Sequence, residues 1–133
     1  MSAQQNIPTR GRIVVVEDDR RVQHMLRTVL RLEHYEVDCI ADGQVALYRI
    51  TACVPDLLVL DLLIPGLDGW EVVRRLRNNP RTAGLPVLVV SSVADLEEVG
   101  ETIDVNDYLA KPFRVEKLLS KVQLLLNAHD AAA

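Results

Sequence analysis

No stretch of this chain approaches the roughly 20 consecutive apolar residues of a membrane-spanning helix. No secretory leader pattern is visible, so a cytoplasmic protein without membrane contact is expected. Cysteine is scarce. Cys39 and Cys53 have neither CxxC spacing nor nearby metal-type partners, which argues against a disulfide framework and predicts two buried free thiols. Positive charge is in deficit, with 15 Lys and Arg against 19 Asp and Glu. The net charge of −4 argues against nonspecific nucleic-acid binding by this domain. No internal repeat and no linker to a second domain are visible. What the chain does have is 49% apolar residues, enough for a core, within 133 residues, a common size for one domain.

Those apolar residues fall into short runs separated by amphipathic stretches. Residues 1–11 are polar and aperiodic and read as a loose tail. Arg12–Val16 is a β-branched strand ending at Glu17-Asp18-Asp19. A helix follows to about residue 33, with Val22, Met25, Leu26, Val29 and Leu30 on one face. Glu36–Ile40 alternates as a second strand, and Asp42 caps a short helix whose inward residues are Val45, Ala46, Leu47 and Ile50. A third strand precedes Asp61. Gly69 then opens a helix with Val72, Val73 and Leu76 inward and Arg74, Arg75 and Arg77 outward, stopped by Asn78-Asn79-Pro80. A fourth strand spans 86–90, and a weak helix spans 94–104. A short fifth strand spans 108–110, and a strong helix spans 114–128, leaving 129–133 as a C-terminal tail. Five strands alternating with five helices predict an α/β fold with a parallel sheet covered on both faces.

The third strand organises the rest. Leu57–Leu60 runs straight into Asp61, with Pro55 before it and Pro65-Gly66 after it, so it reads as buried on both faces. A carboxylate leaving such a strand costs several kcal/mol unless something meets it. In an open parallel sheet the carboxyl ends of the strands share one edge, where ligands bind. Glu17 and Asp18 end strand one, Asp61 strand three, Ser91 strand four and Lys111 strand five. Like charges raise one another's pKa, so three carboxylates together call for a hard divalent cation, and oxygen-only donors suit Mg²⁺. Acids, a cation, a lysine and a hydroxyl make a site for a phosphoryl group, where catalysis is positioning plus charge neutralisation. Each residue also has a plainer role to weigh. Asp61 could be a turn acid, Glu17 and Asp18 helix-start acids, Ser91 a helix cap and Tyr108 ordinary core.

Four pieces of sequence occur in order: Val-Val-Glu17-Asp18; Asp61 with Pro65-Gly66-Leu67-Asp68-Gly69; Ser91 after Pro86-Val-Leu-Val-Val; and Tyr108-Leu-Ala-Lys111-Pro112-Phe113. In these the chain resembles a response-regulator receiver domain of two-component signalling, over residues 12–128. The resemblance implies a flavodoxin-like, three-layer doubly wound (βα)5 fold with strand order 2-1-3-4-5. It implies that Asp61 accepts a phosphoryl group from a histidine kinase or phosphotransfer protein. Asp18 and Asp61 would bind Mg²⁺ (or Mn²⁺) directly, with the backbone carbonyl of Leu63, and Glu17 would act through water. Ser91 would bond one phosphoryl oxygen and Lys111 would pair with another. Ser91 and Tyr108 would form the switch, and Lys111-Pro112 would be cis. Asp19 is assigned to capping the first helix. His24, His34 and His129 are assigned to surface or packing, the donor histidine belonging to another protein. Such a domain is a signalling device, limited to self-phosphotransfer and autodephosphorylation.

Three departures from the family pattern stand out. Ser92 follows the switch hydroxyl where a very small residue is usual. The stretch from Ser91 to Tyr108 is about two residues short, with Asp104-Val105 in place of Gly-Ala. Lys117 and Lys121 replace the glutamate and arginine of the winged-helix transcription-factor branch. Leu63 and Val93, which overhang the phosphoryl position in this family, cannot orient water, so a long-lived acyl phosphate is expected. Helix four carries Asp95, Glu97, Glu98 and Glu101 around Gly100, and Leu124 projects from helix five. These features predict a weakly folded helix four and an unknown hetero-partner on the helix 4/strand 5/helix 5 face, with the chain a monomer or weak dimer. Two alternatives stand beside the stand-alone receiver. One is the same receiver within a longer regulator. The other is a flavin-binding protein of the same fold, although Glu17-Asp18-Asp19 occupies the loop where a flavin phosphate would need glycine and hydroxyls. An aspartyl-phosphate phosphatase would need an Asp-x-Asp pattern after strand one, which is missing.

Overall fold

The computed structural model describes residues 8–99 and 103–132. Five strands, β1 (Arg12–Val16), β2 (Glu36–Ile40), β3 (Leu57–Leu60), β4 (Val87–Ser92) and β5 (Asp107–Lys111), alternate with five helices. The helices are α1 (Arg20–Leu32), α2 (Gly43–Ala52), α3 (Gly69–Arg77), α4 (Val93–Val99) and α5 (Val115–Ala132). The strands form one parallel sheet in the order β2-β1-β3-β4-β5.

Side chains alternate across a strand, so each apolar run feeds two cores. Val14, Val16, Leu58, Leu60, Val87 and Val89 pack with Ala46, Ile50, Val72, Val73 and Leu76 of α2 and α3. Ile13, Val15, Leu57, Val59, Leu88 and Val90 pack with Leu26 and Leu30 of α1 and Leu118, Val122 and Leu126 of α5. Most of these are fully buried, each worth about 1.5–3 kcal/mol relative to exposure. The sheet is covered on both faces, as the alternation predicts, in the three-layer doubly wound architecture that the resemblance implied.

The caps are local chemistry. Asp19 accepts from the backbone N–H groups of Arg21 and Val22, Asp42 from Val45, and Asp68 from Glu71. Helix α1 ends differently. His34 stands at φ 68°, its N–H donates to Arg31 O, and the N–H of Tyr35 donates to Leu30 O. These two bonds are the Schellman pattern, with a histidine where glycine is usual.

Several expectations need correction. Residues 1–7 of the predicted loose tail lie outside the described residues. Arg10, however, is tied down: its N–H donates to His34 O and its guanidinium lies over the Tyr35 ring at 4.8 Å. Cys53 is exposed and Cys39 half-buried, because Cys53 caps α2 at the surface, so the thiols are not both buried. Val45 is exposed, on the outer side of α2. Arg77 is not a solvated arginine. It donates to the carbonyls of Ala83, Leu85 and Asp104 and to Asn106 Oδ1, tying the end of α3 to the turn before β4 and the loop before β5. Strand β4 runs through Ser91 and Ser92, two residues past the expected end at Val90, because Ala110 and Lys111 of β5 pair with them. Helix α4 starts at Val93 and does not reach Asp104, since residues 103–105 are not helical. Gly100 and Glu101 lie outside the described residues, as does the side chain of Glu98. Helix α5 continues to Ala132, past the predicted end near 128.

Candidate functional site

Every group in the site stands within two residues of the carboxyl end of a strand. The Asp61 N–H donates to Val16 O at 2.9 Å and the Glu17 N–H to Ile40 O at 3.0 Å, extending the ladder just past β3 and β1. This fixes Glu17 and Asp61 side by side at the carboxyl edge. Ser91 and Lys111 arrive from β4 and β5, where Ser92 pairs with Lys111 in register.

Asp61 is 8% exposed, Glu17 2% and Ser91 1%, while Asp18 is exposed at the mouth. The buried charges are compensated. Lys111 Nζ donates to Glu17 Oε1 at 2.6 Å and to Asp61 Oδ2 at 2.9 Å. Ser91 Oγ donates to Asp61 Oδ1 at 2.9 Å, and the Leu63 N–H donates to the same oxygen at 3.2 Å. Glu17 Oε2 accepts from the Asp19 N–H at 3.1 Å, and the Gln23 amide donates to the Glu17 carbonyl. Burial pushes the Glu17 carboxyl up from its ordinary value, and the nearby Asp61 adds to this against the pull of Lys111. Burial alone would lower Lys111, but its contacts with Glu17 and Asp61 outweigh this and raise it.

Carboxylate oxygens of Glu17, Asp18 and Asp61 lie within 4.8 Å of one another. Three hard oxygen donors at this spacing, one of them open to solvent, fit a divalent cation of the Mg²⁺ type. The loop after Asp61 is held by glycine. Gly66 has φ 84°, and a Cβ there would meet the Asp42 carboxylate at 2.4 Å. A Cβ on Gly43 would lie 1.7 Å from Leu67 O, so the loop packs directly on the start of α2. Leu63 and Val93 are both exposed, at 58% and 54%.

The predicted residues Glu17, Asp18, Asp61, Ser91 and Lys111 therefore share one rim. Tyr108 does not join it. It is half-buried against the core on the α2/α3 side and lines a shallow apolar groove of about 300 Å³ with Val93, Leu96, Glu97 and Ala110. The Lys111-Pro112 bond is cis. One neighbour of the site was missed. Asp95 Oδ2 accepts from Ser92 Oγ at 2.7 Å and lies 3.4 Å from Ser91 Oγ. The Ser-x-x-Asp spacing of Ser92 and Asp95 is the sequence signal of a helix-capping pair and could have drawn attention to it.

A parallel (βα)5 sheet with this acidic pocket opposite a strand-end lysine defines a signalling receiver. The family model of the response regulator receiver domain matches residues 13–123, and the chain belongs to that family. It is 35% identical over 121 residues to the DNA-binding dual master transcriptional regulator RpaA of Synechocystis sp., covering 90% of this chain and 50% of that protein. A solved response regulator from Chloroflexus aurantiacus is 38% identical, with a TM-score of 0.84 over 91% of this chain and 99% of that one. The receiver domain of the sensor histidine kinase PA1611 of Pseudomonas aeruginosa is 29% identical, with a TM-score of 0.82 over 88% of this chain and 98% of that one. That structure holds a magnesium ion in its active site cleft. The chain spans about half the length of the curated relatives it matches. The flavin-binding alternative falls with the family match. No helix among the described residues is long and apolar enough to cross a membrane.

Proposed function

We propose that Asp61 is the phosphoacceptor of this receiver and takes the phosphoryl group from a phosphohistidine of a histidine kinase or phosphotransfer protein. The observation that carries this is the buried Asp61 carboxylate with Lys111 on one oxygen and Ser91 on the other. Asp18 and Asp61, with the Leu63 carbonyl, would hold Mg²⁺, and Glu17 would act on it through water. When bound, the ion neutralises charge on the transferring phosphoryl oxygens. Asp61 attacks phosphorus, and the donor nitrogen leaves with the electron pair of the broken bond. Lys111 offsets the added charge on one phosphoryl oxygen, and Ser91 turns its hydroxyl from the carboxylate to another.

Ser91 and Tyr108 would relay the change to the face formed by α4, β5 and α5, where a hetero-partner binds. The charge of α4 supports a hetero-partner, since a two-fold dimer there would bring Asp95 and Glu97 toward their own copies. The half-length match to curated relatives supports a second arrangement, in which the same receiver is joined to an output domain. Reading the gene past residue 133 decides between the two.

The test is mass spectrometry after incubation with acetyl phosphate. A gain of one phosphoryl group is expected, dependent on Mg²⁺ and absent in Asp61→Asn. Labelling that persists in that variant refutes the assignment.

A further inference from the structure

Ser91 has one hydroxyl hydrogen, and in this structure it points to Asp61 Oδ1 at 2.9 Å. The next acceptor in reach is Asp95 Oδ2 at 3.4 Å, longer than an ordinary O–H···O bond. Asp95 is not there by chance of rotamer. Ser92 Oγ donates to the same Oδ2 at 2.7 Å and accepts the Asp95 N–H at 3.2 Å. Ser92, the residue that replaces the usual small side chain, thus aims a carboxylate along the rim toward the acceptor. Through Ser91 Oγ, Asp95 Oδ2 lies within about 7 Å of Asp61 Oδ1. Unlike Glu17 and Asp61, Asp95 has no cationic partner among the described residues, and it is only half-buried.

We propose that Asp95 is a positioning residue that restrains phosphorylation of Asp61, competing for the Ser91 hydroxyl and opposing the incoming anion. This rests on Asp61 being the phosphoacceptor. The two effects act in the same direction. A phosphoryl group on Asp61 needs the Ser91 hydrogen, and Asp95 offers that hydrogen another acceptor. The phosphoryl group also brings negative charge toward a carboxylate already fixed in place. In the reaction with acetyl phosphate an Asp61 oxygen forms the new P–O bond. The bond from phosphorus to the acetyl oxygen breaks, and acetate leaves with the electron pair. Asp95 exchanges no proton.

The experiment compares the rate of labelling by acetyl phosphate with Mg²⁺ in the parent, Asp95→Asn, Asp95→Glu and Ser92→Ala, with circular dichroism confirming that each is folded. Asp95→Asn is expected to label about three- to sevenfold faster at low salt, the effect of one like charge at that distance in a water-exposed rim. The gain shrinks as ionic strength rises. Asp95→Glu keeps the charge and stays near the parent rate. Ser92→Ala, which releases the carboxylate, gives a smaller gain of the same sign. A folded Asp95→Asn that labels no faster than the parent overturns the inference and leaves the reading of Asp61 intact. So does an Asp95→Glu as fast as Asp95→Asn, because the effect would then be one of packing. A parent that does not label at Asp61 at all overturns both.

Discussion

Lys111→Met removes the ammonium lodged between Glu17 and Asp61. Its two partners are 2% and 8% exposed, so the variant leaves two buried carboxylates facing each other. Removing one partner of a buried ion pair typically costs about 3–5 kcal/mol. The Lys111 side chain is 26% exposed, so solvent screens part of this and the expected loss is about 2–3 kcal/mol. For a chain of this size that lowers Tm by about 6–15 °C. Urea unfolding in metal-free buffer measures it. Adding Asp61→Asn to Lys111→Met is expected to recover about 1–2 kcal/mol, because one of the two like charges is gone. The pH dependence has a definite sign. Stability from a raised Lys111 is present below the ordinary value of 10.5 and is lost as pH rises past its raised value. A raised Glu17 favours the folded state below its ordinary value of 4.5 and loses that contribution as pH rises through its raised value. The deficit of Lys111→Met therefore narrows on acidification, as Glu17 takes up its proton. A loss under about 0.5 kcal/mol at neutral pH, with no recovery in the double variant, would refute the reasoning.

Three further outcomes are expected. His34→Gly relieves the left-handed backbone at φ 68° and should raise stability by about 0.5–1 kcal/mol in urea unfolding, the strain relieved less the added freedom of glycine when unfolded. Glu71 is held down to about 2 by its bonds with Arg74 and then Arg75. The stability it adds is present above its ordinary value of 4.5 and is lost as pH falls toward 2, so Glu71→Gln should flatten the acid limb of a Tm–pH profile, modestly because the pair is solvated. Replacing the exposed Leu63 with Asn or Val93 with Glu adds a group able to orient water beside the acceptor. Loss of label from the phosphorylated protein should then quicken, and decay no faster than the parent's would show that these side chains do not shield the site.

Local pattern alone placed the five strands and five helices in order and the polar residues at or beside the strand ends. Period-2 and period-3.6 patterns are local, and a parallel sheet puts every strand's carboxyl end on the same edge, so Glu17, Asp18, Asp61, Ser91 and Lys111 could be assigned to one rim before any contact was known. The caps Asp19 and Asp42 were legible for the same reason, since a cap bonds residues two or three positions away, and the same pattern at Asp68 went unread. Who touches whom was not legible. Lys111 reaches Glu17 across 94 residues of sequence, and it divides itself between Glu17 and Asp61 because β1, β3, β4 and β5 lie in that order. Arg77 looked like a surface charge on its helix, yet the turn before β4 and the loop before β5 bring carbonyls to it. Tyr108 was read as part of the switch with Ser91, but that it lines a groove next to α4 depends on how that helix sits beside β5. Asp95 read as one acid among several on α4, and only the junction of β4 with that helix aims it at Ser91. Local pattern fixes the direction in which a chain segment runs. The partner of a side chain depends on strand register and helix packing, which are set jointly by residues far apart in the chain.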